Sequence, residues 1–144
     1  MGPQQTREWR SEQLAFADVT ELVELADRCL AVGGTRISSE PVVGTVSLSV
    51  REPVVGERFL LADVLATRAE VDHRGVRGWA MRLGDDKEAA VAAAICDAEA
   101  STGVGLTEEI DALCLETERR RLEAGAAEWA ELAPTEVHFE ELDR

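Results

Sequence analysis

Residues 85–101, DDKEAAVAAAICDAEAS, constrain the fold more than any other stretch of the chain. The acids stand where a helix N-terminus favours negative charge, and the middle is an almost unbroken run of small apolar side chains. So many alanines predict a helix packed closely against a sheet. The segments before it supply the strands. Val46, Leu48 and Val50 alternate with Thr45, Ser47 and Ser49, the two-residue repeat of a half-buried strand, with Pro41 and Pro53 as expected bounds. Phe59 to Leu61 come next, then Leu65, Thr67, Ala69 and Val71, the turn DHRG at 72–75, and Trp79, Met81 and Leu83. Gly75 suits the turn, so 64–84 reads as an antiparallel hairpin. Thr67, Ala69 and Val71 are expected on the core face, opposite Arg68, Glu70 and Asp72, and Trp79, Met81 and Leu83 are expected in the core.

Helices flank this meander. Residues 6–16 suit a short helix with Trp9, Gln13 and Phe16 near one face. Asp18 followed by Glu21 resembles a capping box, Leu22, Leu25, Ala26, Cys29 and Leu30 recur at helical spacing, and Gly33-Gly34 stops the helix. After STGVG a further helix is expected from Thr107 to about Leu132, with Ile110, Leu113, Cys114 and Leu122 inward, ended by Pro134. Val137 and Phe139 alternate in a possible edge strand. The expected architecture is α+β, an antiparallel sheet flanked by N-terminal and C-terminal helices, in a single domain over residues 1–144.

Charge narrows the function. With 29 acidic and 15 basic residues the net charge is -14, which opposes binding to nucleic acid or an anionic membrane surface. An anionic substrate would need a basic partner or a metal to attract it, which points to other subunits. Cys29, Cys96 and Cys114 fit neither a disulfide framework nor a zinc site and are expected as buried thiols in a reducing cytoplasm. No apolar stretch reaches the length of a membrane span, and the start of the chain lacks a secretory pattern.

Self-contained chemistry is hard to assemble. His73 and His138 are the two histidines, one in a turn and one out of phase with Val137 and Phe139, and both are expected at the surface or as caps. Asp85, Asp86 and Glu88 read as a solvated helix start, and AVGGT lacks the spacing of a phosphate loop. Arg119 to Arg121 are expected in helical pairs with Glu116 and Glu123. Arg58 and Arg68 on the strand either pair with Glu57, Asp63 or Glu70 or face a partner.

The ordered set Gly56-Glu57-Arg58-Phe59, Thr67-Arg68-Ala69, Gly78-Trp79, Gly84, Asp86-Lys87, Ala94, Asp97-Ala98 resembles the central region of the PhnG subunits of the bacterial carbon-phosphorus lyase system. A weaker likeness runs from Arg7 and Trp9 to Val137 and Phe139. Asp85 and the STGVG loop depart from the pattern. The resemblance implies a cytoplasmic subunit of a core complex with PhnH-, PhnI- and PhnJ-like partners. That complex displaces adenine from ATP, taken with magnesium, by an alkylphosphonate oxygen to give a ribose 1-alkylphosphonate 5-triphosphate. It implies no cofactor bound by this chain alone, with S-adenosylmethionine and an iron-sulfur cluster on another subunit. Glu57, Arg58, Phe59, Thr67, Arg68, Trp79, Asp86 and Lys87 are then family-motif or partner-interface residues, and no catalytic residue is assigned. A rival reading makes Asp86, Lys87 or His73 catalytic, and a third makes the chain an unrelated binding or scaffold protein.

Overall fold

The computed structural model describes residues 6–135. In chain order they form α1 (Arg7–Phe16), α2 (Val19–Val32), β1 (Thr35–Arg51), β2 (Arg58–His73), β3 (Val76–Leu83), α3 (Lys87–Ser101) and α4 (Thr107–Leu132), followed by a 3-10 turn at Ala133–Thr135. The strands make one antiparallel sheet in the order β1-β2-β3, so the chain adopts the expected α+β class. The edge strand expected on TEVHFEEL, residues 135–142, lies outside the described residues from 136 onward, as does His138.

The helix starts follow from their caps. Thr6 accepts from the Trp9 amide, Asp18 from Glu21 and Asp86 from Ala89, each satisfying a donor that a first helical turn leaves free. Gly33, at φ +84°, ends α2 in a conformation that side chains disfavour.

α3 is the centre of the molecule, buried continuously from Ala92 to Ala100 between the sheet and the other helices. Close approach is the reason for its composition. A Cβ on Gly78 of β3 would lie 1.9 Å from the Ala94 carbonyl oxygen and 2.8 Å from the Ala98 methyl, so only glycine against alanine fits. Val71, Ala69 and Ala80 complete the sheet's side of this contact, and Leu22, Ala26, Cys29, Ile110 and Cys114 pack on the helix's other side.

Several expectations are corrected. β1 runs straight through Pro41, with register shifts between Ile37 and Ser39 and between Ser39 and Val42 that let the strand absorb a residue without an amide donor. Trp79, Met81 and Leu83 are not the core set, since Gly78 and Ala80 face α3 and the alternate residues fall on the opposite face. There Trp79 is 39% and Leu83 65% exposed. Leu122 is 70% exposed, because α4 meets the other helices only through its first half. His73 is wholly buried.

All three cysteines are buried thiols, on α2, α3 and α4. Burial pushes the Cys114 thiol up to about 12, leaving it an inert packing group.

Candidate partner interface

The sheet has two edges, and the chain treats them differently. Along β3, Arg7 donates to the Arg77 carbonyl at 2.7 Å and to Asp97, while the Asp97 carboxylate accepts from the Trp79 amide at 3.0 Å. Two outward backbone groups of this edge strand, the Arg77 carbonyl and the Trp79 amide, are thus satisfied by side chains of α1 and α3. Arg82 extends the seal, donating to the carbonyls of Leu14 and Ala17 at the end of α1. Burial pulls the Arg82 guanidinium below its usual value.

At the far end of β2 the anchor is a second buried acid. Glu99 of α3 accepts from the Leu106 amide and meets His73 Nε2 at 2.8 Å, while His73 Nδ1 meets the Thr35 hydroxyl at 2.5 Å. Arg74, at φ +52°, brings its guanidinium to 3.5 Å from the same carboxylate. Burial raises the Glu99 carboxyl, but the Leu106 amide, His73 and Arg74 outweigh it and hold the group below the ordinary carboxylate value. The knot has no slack, since a Cβ on Gly105 would lie 2.1 Å from Glu99 Oε1.

Beyond these anchors β1 and β2 continue as a two-stranded arm, residues 42–65, in which neither alternation of side chains is buried. Val42, Leu48, Phe59, Leu60, Leu61 and Leu65 are all exposed along it. A two-stranded ribbon without cover on either face is marginal by itself, and the arm's apolar residues make it a candidate contact surface. Its tip is ordered. The Glu52 carboxylate accepts from the amides of Val54, Val55 and Glu57, which hold it below its ordinary value, and Gly56 supplies the φ of +74° that the turn needs. Val54 and Val55 point outward from this loop. Arg51 and Arg58 stand directly opposite one another, like charges that a ribbon tolerates poorly without an acid nearby. Arg51 is held by the Gly56 carbonyl at 3.1 Å, whereas Arg58 makes no ion pair among the described residues.

The arm's root opens onto the uncovered face of the sheet. Phe16 and Ala15 of α1, Leu48, Val64, Trp79, Met81 and Leu83 line an apolar cleft of about 490 Å³ there. Arg121 stacks over the Phe16 ring at 3.9 Å.

The motif residues therefore separate by role. Glu57, Arg58 and Phe59 build the arm's tip, and Trp79 lies on the bare face. Arg68, half exposed beside it, has Glu70 only at the 4.0 Å limit of an ion pair. Thr67 is buried, its hydroxyl donating to the Gly84 carbonyl at 2.7 Å. Asp86 caps α3, and Lys87 begins that helix at the rim of a second, smaller groove with Asp27 and Leu30 of α2. A family model described as phosphonate metabolism protein PhnG matches residues 5–144, nearly the whole chain. The chain belongs to the PhnG family. No curated protein matches it. Family membership ties the chain to phosphonate metabolism. The PhnG motif positions at Gly78, Ala94, Asp97 and Ala98 acquire a physical reason in the tight contact of α3 with β3.

Sequence reasoning missed the buried acids as a pair and placed His73 at the surface. The available signal was Asp97 and Glu99 standing in an otherwise apolar helix, where a charge needs a partner. The charged helical face behaves as expected in part. Arg119 pairs with Glu116 and Glu123, and Glu116 is held down to about 2 chiefly by Arg119. Arg120 and Arg121 also reach across to Glu21 of α2 and Glu12 of α1.

Proposed function

We propose that this chain is a non-catalytic subunit of a carbon-phosphorus lyase core complex. There it supports displacement of adenine from ATP by an alkylphosphonate to give ribose 1-alkylphosphonate 5-triphosphate. Family membership supplies the pathway, and the observation that carries the subunit role is the apolar two-stranded arm with the bare sheet face at its root. An arm of this kind makes sense when another chain covers it.

Charge supports the same reading. A chain of net charge -14 repels free nucleotide and phosphonate, so basic groups elsewhere in the complex hold the phosphates while this subunit docks on them. The partners are PhnH-, PhnI- and PhnJ-like chains, and Arg58 and Arg68 meet acidic groups on one of them. S-adenosylmethionine and iron-sulfur chemistry belong to another subunit.

The catalytic rival loses two of its three residues to structural duties. His73 is sealed between Thr35 and Glu99, and Asp86 is occupied as a helix cap. Lys87 alone is left as a free catalytic candidate of the three.

Co-expression with PhnH-, PhnI- and PhnJ-like chains, followed by size-exclusion chromatography and a mass measurement, tests the proposal. A stoichiometric complex is expected, with adenine release from ATP and methylphosphonate by the assembly together with its accessory nucleotide-binding protein, and none by this chain alone. Elution of this chain as a folded monomer under every salt condition, or adenine release by the isolated chain, would sink it.

A further inference from the structure

The arm's outer edge carries its own information. In an antiparallel ladder the amide and carbonyl of one residue point the same way, and successive residues alternate. The Trp79 amide points out of the sheet toward Asp97, so Gly78 and Ala80 bond inward to Val71 and Ala69 of β2. The even-numbered β2 residues then face β1, and the register assigns their bonds to Val42, Gly44, Val46 and Leu48. Val43, Thr45 and Ser47 are left with amides and carbonyls directed away from the sheet. Among the described residues no side chain or backbone group bonds to them, in contrast to Arg77 and Trp79 on the opposite edge.

This edge lacks the usual defences. Residues 42–50, VVGTVSLSV, carry no charge and no proline, in a chain where 31% of residues are charged. Arg36, Arg51 and Arg58 against Glu40, Glu52, Glu57 and Asp63 leave residues 35–66 with one negative charge of the chain's net -14. The arm is thus close to neutral, and nearly all the excess acid lies elsewhere in the chain.

We infer that the outer edge of β1 at residues 43–47 is a strand-addition site, which takes an extended, largely uncharged segment of a different protein chain as a fourth strand. Main-chain hydrogen bonds to Val43, Thr45 and Ser47 supply the pairing, and the exposed apolar side chains on both faces of the arm grip the partner on either side of it. A different chain is favoured over a second copy because each copy carries -14 and like charge keeps such bodies apart. This inference rests on the subunit reading above and specifies how the subunit is held.

Amide hydrogen exchange on the isolated chain and on the co-expressed complex tests it. The amides of Val43, Thr45 and Ser47 exchange freely in the isolated chain and slow by roughly 100-fold or more in the complex, while those of Gly44 and Val46 are protected in both. Thr45→Pro supplies a second route, because proline at an outward-facing edge position removes a donor the β1–β2 ladder does not use. Thr45→Pro weakens assembly by about tenfold or more, the worth of one lost hydrogen bond with its steric block, and Thr45→Val leaves it unchanged. A complex that forms with the three amides still in fast exchange overturns strand addition and leaves the subunit reading standing. Protection in the isolated chain that rises with its concentration assigns the edge to a second copy. Protection at all concentrations that disappears on truncation after Thr135 assigns it to this chain's own C-terminal segment. Either of these overturns the inference. Failure to obtain any complex removes the subunit reading itself and the inference with it.

Discussion

The two edges of the sheet present the same chemistry, a row of backbone donors and acceptors, and meet opposite fates. β3 is short, its Arg77 carbonyl and Trp79 amide are taken by Arg7 and Asp97, and α1 lies alongside. β1 is 17 residues long and its outward groups in the arm meet nothing among the described residues. Edge strands are normally shortened, charged or covered, because an open one invites pairing with another chain. Here a single chain guards one edge with the buried Asp97 and its partner Arg7 and leaves the other bare, the arrangement from which strand addition is inferred above.

Substitutions that break the sealed side have the largest effects. Gly78→Ala places a methyl into the Ala94 carbonyl and forces α3 off the sheet, an expected loss of about 3 kcal/mol or more, read by urea denaturation. Asp97→Ala strands the Trp79 amide and loosens Arg7. The partner guanidinium is half exposed and can turn to water, so the expected cost is smaller, about 2 kcal/mol by the same measurement.

Glu99 sharpens the contrast through pH. Its folded value lies below its unfolded one, so the stabilisation it gives is fully present above the unfolded carboxylate value and is lost as pH falls through the folded value. The melting temperature of the wild type therefore drops more steeply below about pH 4.3 than that of Glu99→Gln, which has no carboxylate there to protonate. Identical acid slopes for the two proteins would remove Glu99 as an anchor.

On the open side stability is barely touched. Leu60→Asp, near the arm's tip, changes folding by no more than about 0.5 kcal/mol, because Leu60 is already in water, and yet prevents co-elution with the partner subunits. Arg68→Ala has the smallest effect on the isolated chain, as its Glu70 contact is stretched and solvent-exposed, and its effect on assembly reports whether that face meets an acid.

Legibility in the sequence divides along the same line. The α3 run with its acidic start, the Asp18 cap, the Gly33 stop and the 72–75 turn are local signals, and each element they imply is present. What failed was the assignment of faces on β3. Large side chains were assigned to the core by size, but α3 lies so close that only Gly78 and Ala80 fit beneath it, displacing Trp79, Met81 and Leu83 to the other face. The length of the arm was also hidden. Strand periodicity registers one covered and one wet face, and a ribbon with neither face covered gives no such rhythm, so the first strand is expected to start only after Pro41, whereas it runs from Thr35. His73 was misplaced because its partner lies 26 positions away, beyond any local pattern. The motif residues at the tip were legible through the family resemblance, and their division into turn builders and exposed contacts was not.

The continuity of β2 has a mechanical consequence. Phe59 near the tip and His73 at the anchor belong to one unbroken strand, roughly 45 Å from end to end at ordinary strand rise. A pull on the tip is therefore borne in shear by a whole ladder of hydrogen bonds acting together, and it ends on a buried histidine held by α3. The arm behaves as a cantilever fixed in the molecule's densest part, and whatever grips its far end moves the body with it.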